Sequence, residues 1–447
     1  MPFGERGGLL GMRNRTFTAT ALSVLFMGLG QLFNGQRLKG LFFLGIGVGG
    51  VRWIIHNLGE QVTGLFTLGD TPRKMVKVGK TYTMVDGDHS IFMMINGLAA
   101  LLFVLLLVAL YAMNIRDAWS TARDANKGIP PRSFLEGLKL AGERRFPHII
   151  LALPVTAAIL LTVLPIVFSV LIAFTNYAAP NLPPANLVNW VGFDTFKQLV
   201  SLKKWSGTFT SIALWTIVWA VLSTLSTYFV GVIAAVLIHQ KGVRFKRFWR
   251  TAMIVPFALP NLVSLLVFRN LFNAEFGPIN QYLRMMGLSA IPWLNDLEWA
   301  RFTVIMVNLW LGFPLIMILV SGVLTTISRE LYEAAEVDGA TRFYTFRRIT
   351  LPMLLFATAP ILIMQFAANF NNFNVIFLLT GGNPVMPDLV YAGGTDLLVT
   401  WIYKLTLNNN QFNIASVLSI LIFFVVASIS IISYRSTRSF KEEDLIQ

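Results

Sequence analysis

Eight apolar stretches, near 39–58, 91–113, 148–175, 208–238, 251–273, 301–325, 353–379 and 413–434, constrain this chain more than any other feature. Each is long enough to cross a hydrocarbon core roughly 30 Å thick. In that medium the backbone N–H and C=O groups must be satisfied within the segment, so each stretch reads as a helix. The expected fold class is all-α: a polytopic membrane protein with eight transmembrane helices. A ninth stretch, 17–33, is short and Gly-rich, and only the few residues around Gln36–Leu38 part it from the next. Composition agrees, with 55% hydrophobic and 13% charged residues, against roughly 25% charged in a soluble domain.

A formal net charge of +14 raises nucleic acid as a partner. Its distribution argues for no nucleic acid, because Lys and Arg collect in alternate loops, as the positive-inside rule describes for membrane proteins. Loop 114–147 holds Arg116, Arg123, Lys127, Arg132, Lys139, Arg144 and Arg145, and 239–250 holds Lys241, Arg244, Lys246, Arg247 and Arg250. Arg329, Arg342, Arg347 and Arg348 mark 329–352, and Arg435, Arg438 and Lys441 mark the C-terminal end. Loops 274–300 and 380–412 carry only Arg284 and Lys404, while 59–90 balances four basic residues with four acids. The first set is expected in the cytoplasm, with the C-terminus. Arg6, Arg13 and Arg15 favour the same side for the N-terminus, so 17–33 is expected to be a re-entrant or in-plane hairpin. These arginines before an apolar run resemble a signal peptide, but no small-x-small cleavage pattern follows, and the segment is read as mature sequence.

Four parts are expected. Residues 1–113 form an N-terminal membrane module, 114–147 a cytoplasmic linker containing GIPPRS, 148–440 a six-span core, and 441–447 a cytoplasmic tail. The chain has no cysteine, and His56, His89, His148 and His239 show no metal-ligand spacing. No Asp or Glu falls within the core spans, which weighs against a proton-driven carrier. A membrane-embedded glycosyl-processing enzyme would need a carboxylate or metal cluster near one face, and the acids are dispersed. No catalytic residue, metal or cofactor is therefore expected on this chain.

Two stretches are polar in a way that asks for a partner. The first is EAAEVDGATRFYTFRRITLP at 333–352. Ser328 suits a helix N-cap, with Glu330 and Glu333 in the first turns, where the helix dipole favours acids. Asp338-Gly339 ends that helix, Thr341 caps a second short one, and Pro352 opens the next span. A DNA-reading helix–turn–helix has this shape, but the flanking spans tie it to the membrane surface. The second is QFAANFNNFN at 365–374, where Gln365, Asn369 and Asn372 fall at i, i+4 and i+7 with Ala368 between them. Phe366, Phe370, Phe373 and Phe377 form an adjacent stripe. Amides in hydrocarbon must meet other helices, water or a ligand. Both helix-to-helix glue and recognition of a polyhydroxyl ligand satisfy them. VPFALPN at 255–261 and NLWLGFP at 308–314 add Asn261, Asn308 and prolines that kink a helix or open it to a ligand.

Stretch 333–352 resembles the EAA loop of membrane subunits of ATP-binding-cassette importers, through Glu333, Ala334, Ala335, Asp338, Gly339, Ala340, Phe346, Ile349, Leu351 and Pro352. The resemblance implies a type I importer permease core of six helices, in the plasma (inner) membrane of a bacterium or archaeon. It also implies that 329–352 is a coupling helix docking on a separate ATPase, with Glu333 against a basic residue of that partner. The chain has no G-x-x-x-x-G-K-[ST] phosphate loop, so ATP and Mg²⁺ would be bound by the partner. NFNNF, LLTGGNP and NLWLGFP are similar to the maltose/maltodextrin branch of these permeases. That likeness implies a sugar site formed by Phe257, Asn261, Asn308, Leu311, Gly312, Gln365, Ala368, Asn369 and Asn372. This chain departs from the enterobacterial pattern: Phe257 stands for a tyrosine, Asn261 and Gln365 for serines, and Ala368 for a phenylalanine. Loop 176–206 is also far shorter than its enterobacterial counterpart. Implied partners are a second homologous permease, two ATPase subunits, an extracytoplasmic sugar-binding protein, the sugar and membrane lipid. The implied function is ATP-driven import of maltose or malto-oligosaccharides, with another glycoside such as trehalose as the alternative. Glycerol phosphate is disfavoured, since it would call for a basic residue at the membrane midplane.

Overall fold

The computed structural model describes residues 5–78, 80–131, 146–240 and 242–436. Seven described helices are long and apolar enough to cross a membrane: Arg37–Thr67, Ser90–Asn126, Ile150–Ile172, Lys203–His239, Leu297–Thr326, Arg342–Leu379 and Phe412–Ile431. The expected stretch 251–273 is instead a pair, Lys246–Ala258 and Asn261–Leu271, bent by 91° at a short break. Counted as one broken span, the pair brings the total to eight. Pro256 is tolerated inside the first helix, but Pro260 lacks an N–H and pushes Leu259 into extended backbone (φ −86°, ψ 140°), which ends it.

By packing, the chain divides into two units, 1–192 and 193–447. The first holds Ile150–Ile172, which the sequence groups with the six-span core. In this unit Glu5–Leu25 turns at Gly28 into the short helix Leu29–Phe33 and then Arg37–Thr67. That turn sits on Ser90–Asn126. Gly28 N donates to Asn114 Oδ1 at 3.3 Å, Gln31 Nε2 to Asn114 O at 2.9 Å, and Asn34 Nδ2 to Ala118 O at 3.0 Å. Ser90–Asn126 runs well past residue 113, where the linker was expected to start. The charges from Arg116 onward end the hydrocarbon segment but not the helix; Gly128, with φ 81°, follows its end. The rest of the expected linker, 132–145, and the tail 441–447 lie outside the described residues. A small antiparallel hairpin, Lys74–Val78 with Thr81–Val85, joins Arg37–Thr67 to Ser90–Asn126.

In the second unit, Lys203–His239 is the central helix, packed on Leu297–Thr326 and on Leu351–Phe370. Tyr228, Val232, Ala235 and Ile238 form a buried seam with Ile316, Met317, Val320 and Leu354. Tyr228 and Thr358 share a hydrogen bond at 3.0 Å inside it. Lys203–His239 and Leu297–Thr326 approach closely at Gly231, where an added Cβ would lie 2.6 Å from Ile316 Cβ and 3.0 Å from Phe313 O. Gly231→Val should therefore separate the helices and destabilise this unit by about 1–3 kcal/mol. A lower melting temperature in detergent would show it; an unchanged one would mean that the seam yields freely.

Candidate functional site

Two amides of 365–374, Asn369 and Asn372, join Asn308 and Thr224 in one hydrogen-bond relay. Asn369, only 3% exposed, donates through Nδ2 to Thr224 Oγ1 at 3.0 Å and accepts through Oδ1 from Asn308 Nδ2 at 3.3 Å. Asn308 Oδ1 in turn accepts from Asn372 Nδ2 at 3.1 Å. The backbone carbonyl of Asn369 accepts from Trp219 Nε1 at 2.9 Å. Lys203–His239, Leu297–Thr326 and the strip 365–374 are thus stitched by neutral groups alone.

The strip is not one helical face. The helix ends at Phe370, and Asn372 caps a new helix, Phe373–Leu379, by accepting from Val375 N at 3.3 Å. Consecutive asparagines compete with the helix for backbone hydrogen bonds, which explains the break. It also divides the phenylalanine stripe into two pairs, Phe366–Phe370 and Phe373–Phe377, and Tyr403 packs against the second.

Of the nine residues implied as a sugar site, five come together. Asn308, Asn369 and Asn372 are in the relay. Gly312 faces Thr227, where an added Cβ would stand 2.8 Å from Thr227 Cγ2 and 3.8 Å from Gln365 Nε2. Gln365 is half-buried and has no hydrogen-bond partner among the described residues. Leu311 is half-buried and Ala368 exposed on the same two helices. Phe257 and Asn261 stand on either side of the broken span, both exposed, and no hydrogen bond joins Asn261 to the relay.

Loop 329–352 follows its sequence closely. Ser328 Oγ accepts from Glu330 N, capping Arg329–Val337; Thr341 Oγ1 accepts from Tyr344 N, capping the second turn. Gly339 takes φ 77°, the left-handed conformation that closes the first helix at Asp338. Glu333 pairs with Arg329 at 2.9 Å on its own helix, where both are exposed. Such a pair is worth little and exchanges readily. Ala334, Ala335 and Ala340 carry no bulk between the two turns. Val337, Phe343 and Tyr344 are 87%, 72% and 55% exposed, an apolar patch amid polar neighbours. Pro352 opens no new helix. A π-helical turn at Phe346–Thr350 carries Arg342–Thr345 straight into Leu351–Phe370. Tyr332 also ties the first short helix to this rod, through Thr350 Oγ1 at 3.1 Å.

The charge-poor stretch 380–397 is a folded cap. Thr208 and Thr216, on Lys203–His239, accept from Val390 N at 3.0 Å and Leu398 N at 3.1 Å. Trp215 Nε1 donates to Thr395 O at 3.2 Å, and the Arg301 guanidinium lies over the Trp215 ring. Asp396 is buried beneath, paired with Lys404 at 2.6 Å. Thr224 in the relay and this ion pair went unsingled in the sequence. Thr224 is one hydroxyl in a Ser/Thr-rich helix, and Asp396 one of two acids in its loop, with Asp388; only the single Lys in that charge-poor loop hinted at pairing.

Residues 227–440, holding the coupling-type loop and the relay apart from Thr224, match the family described as binding-protein-dependent transport system inner membrane component. The galactooligosaccharides transport system permease protein GanP of Bacillus subtilis is 39% identical over 95% of this chain and 98% of its own. The maltodextrin transport system permease protein MalC of Streptococcus pneumoniae is 35% identical over 97% of this chain and 99% of its own. A chain from the crystal structure of a bacterial ABC transporter for alginate import, at 23% identity, matches with a TM-score of 0.55 over 68% of this chain and 98% of that one. That last likeness is one of fold, the type I importer permease. With the relatives matched end to end, the chain belongs to the inner-membrane permease components of binding-protein-dependent, ATP-binding-cassette sugar importers, and is a transport subunit, not an enzyme.

Proposed function

We propose that this chain lines half of a pathway for a neutral oligosaccharide, taken first as a malto-oligosaccharide, and that loop 329–352 couples the pathway to a separate ATPase. One observation carries the substrate class. The relay of Thr224, Asn308, Asn369 and Asn372 is wholly neutral and internally satisfied, and the Gln365 amide is left over beside Gly312. An amide that both donates and accepts suits a sugar hydroxyl, and a neutral site suits an uncharged sugar. Phe257, Asn261, Leu311 and Ala368 would border the same path from the broken span and the adjoining helix faces. Galactooligosaccharides are the second reading, favoured by the 39% identity to GanP.

Coupling is supported by continuity. The rod from Arg342 to Phe370 reaches the relay without interruption, about 43 Å at about 1.5 Å per residue. Movement of the exposed Val337–Tyr344 patch would thus be delivered to Asn369. In this reading the patch and Glu333 face the ATPase in the cytoplasm, with the C-terminus on that side. A second homologous permease completes the pathway, two ATPase subunits bind ATP and Mg²⁺, and an extracytoplasmic binding protein delivers the sugar.

The test is uptake by the reconstituted importer of labelled maltotriose and of a galactooligosaccharide, each competed with the other. Transport of neither, with a loaded ATPase present, would sink the substrate class. Glu333→Arg should lower uptake at least about tenfold, a loss of about 1.4 kcal/mol of coupling, with melting unchanged. Full uptake with normal ATPase recruitment in that variant would refute the coupling role.

A further inference from the structure

The hairpin Lys74–Val78/Thr81–Val85 is the only sheet among the described residues, and every residue of both strands is exposed. Its register sets Met75 against Met84 and Lys77 against Tyr82 on one face; Lys74, Val76, Val78 and Val85 lie on the other with Thr81 and Thr83. Met75, Tyr82 and Met84 are 64%, 66% and 56% exposed. A lone two-stranded hairpin is marginal in water unless something packs on it. A bare apolar face on a folded protein marks an interaction site.

The base, by contrast, is firmly built. The Asp88 carboxylate accepts from the N–H groups of Asp70 and Thr71, both at 2.9 Å, and Asp88 N donates to Thr71 O at 2.8 Å. These donors, Thr71 foremost, hold the Asp88 carboxyl below its ordinary range. Arg73 pairs with Asp86 at 3.0 Å, and a side chain at Gly87 would run into Thr71 O. With Asp86 and Asp88 engaged there, no carboxylate among the described residues pairs with Lys74, Lys77 or Lys80; Lys77 lies over the Tyr82 ring instead. The blade is therefore a Met/Tyr face that carries Lys77, with Lys80 at the turn and Lys74 on the reverse side, on a fixed stem. Tyr and Met are enriched in protein interfaces, and methionine adapts to a partner that docks and leaves repeatedly.

We propose that this face docks the sugar-loaded extracytoplasmic binding protein, which meets it with an apolar patch ringed by acids. The inference rests on the functional reading above: with the C-terminus cytoplasmic and eight crossings, the connection 68–89 falls on the extracytoplasmic side. Two features favour protein over lipid. The family is named for its dependence on a binding protein. A five-residue strand is about 17 Å long, more than the depth of one headgroup layer, about 5–8 Å.

The test uses the complete importer in phosphatidylcholine nanodiscs, with and without phosphatidylglycerol, and the solute-binding protein encoded nearest to it. Benzoylphenylalanine replacing Met84 or Tyr82 should cross-link to that protein when sugar-loaded. The variant K74E/K77E/K80E should raise the half-saturating binding-protein concentration about tenfold at low salt and flatten its salt dependence, with basal ATP hydrolysis and melting unchanged. Cross-links to phospholipid alone, or equal half-saturation in variant and wild type, overturn the docking surface and leave the importer reading standing. Failure of the wild-type importer to respond to the loaded binding protein overturns both.

Discussion

Asp396→Leu is expected to lower stability by about 3–5 kcal/mol and to loosen the cap at 380–397, because it leaves Lys404 charged and alone in a buried place. The Asp396 side chain is fully buried, and that of Lys404 is 18% exposed. The carboxylate accepts from Gly393 N at 2.7 Å, Thr400 Oγ1 at 2.9 Å and Lys404 Nζ at 2.6 Å. Burial pushes this carboxyl above its ordinary range, and Lys404 is the chief group opposing that push. The surroundings leave no room to relax. Gly382, at φ 85°, closes over the pair so tightly that an added Cβ would strike both Asp396 and Lys404. Thr208, Trp215 and Thr216 hold the same cap to the central helix, so its release should be felt there. The single variant should melt lower and show faster amide exchange at Gly393 and Thr395. Asp396→Leu/Lys404→Met should recover much of the loss, since an apolar pair avoids stranding a charge. A double variant no better than the single would mean that backbone contacts, rather than the ion pair, hold the cap.

That pair could not be read from the chain, and the reason is physical. Asp396 and Lys404 stand at the two ends of Leu398–Tyr403, with Thr400 between them, but what makes the pair matter is burial of that end against the central helix, which the local sequence does not display. Features of short range were legible. Ser328, Thr341 and Gly339 act through hydrogen bonds and dihedrals within a few residues of themselves, and they act as their sequence positions predict. The spans were legible because length and apolarity suffice to identify a crossing.

Helix ends were less so. Ser90–Asn126 outruns its apolar stretch because charge sets a membrane boundary, whereas helices stop at backbone breakers. The same distinction runs in reverse at 251–273, where apolarity continues across Pro260 and the helix does not. The strip 365–374 fell between these cases. Its residues were found from amide chemistry, but helical periodicity carried one face through Asn371 and Asn372, where the helix is interrupted and Asn372 caps the next one. The partners of Asn369 lie far off in sequence, at Thr224 and Asn308, and only packing of three helices reveals that most of the amides satisfy one another.

Two amides on one strip should accordingly respond in opposite ways. Asn369→Leu removes the acceptor of Asn308 Nδ2 and the donor to Thr224 Oγ1 in a buried place, at about 1–3 kcal/mol for each group left unpaired. It should lower the melting temperature of the solubilised importer whether or not sugar is present. Gln365→Leu breaks no hydrogen bond among the described residues, so melting without sugar should stay put. Uptake should fall about two- to tenfold, the worth of one amide-to-hydroxyl bond at about 0.5–1.5 kcal/mol. Sugar-dependent stabilisation should shrink with it, since a ligand stabilises only through the contacts it makes with the folded state. Equal losses of sugar-free melting in the two variants would make Gln365 part of the glue. Unchanged melting in Asn369→Leu would mean that the relay bears no load between helices and is free to serve the sugar instead. The contrast is sharper than either variant alone, because both substitutions place the same apolar side chain on the same helix, one turn apart, and differ only in whether the protein already uses the amide.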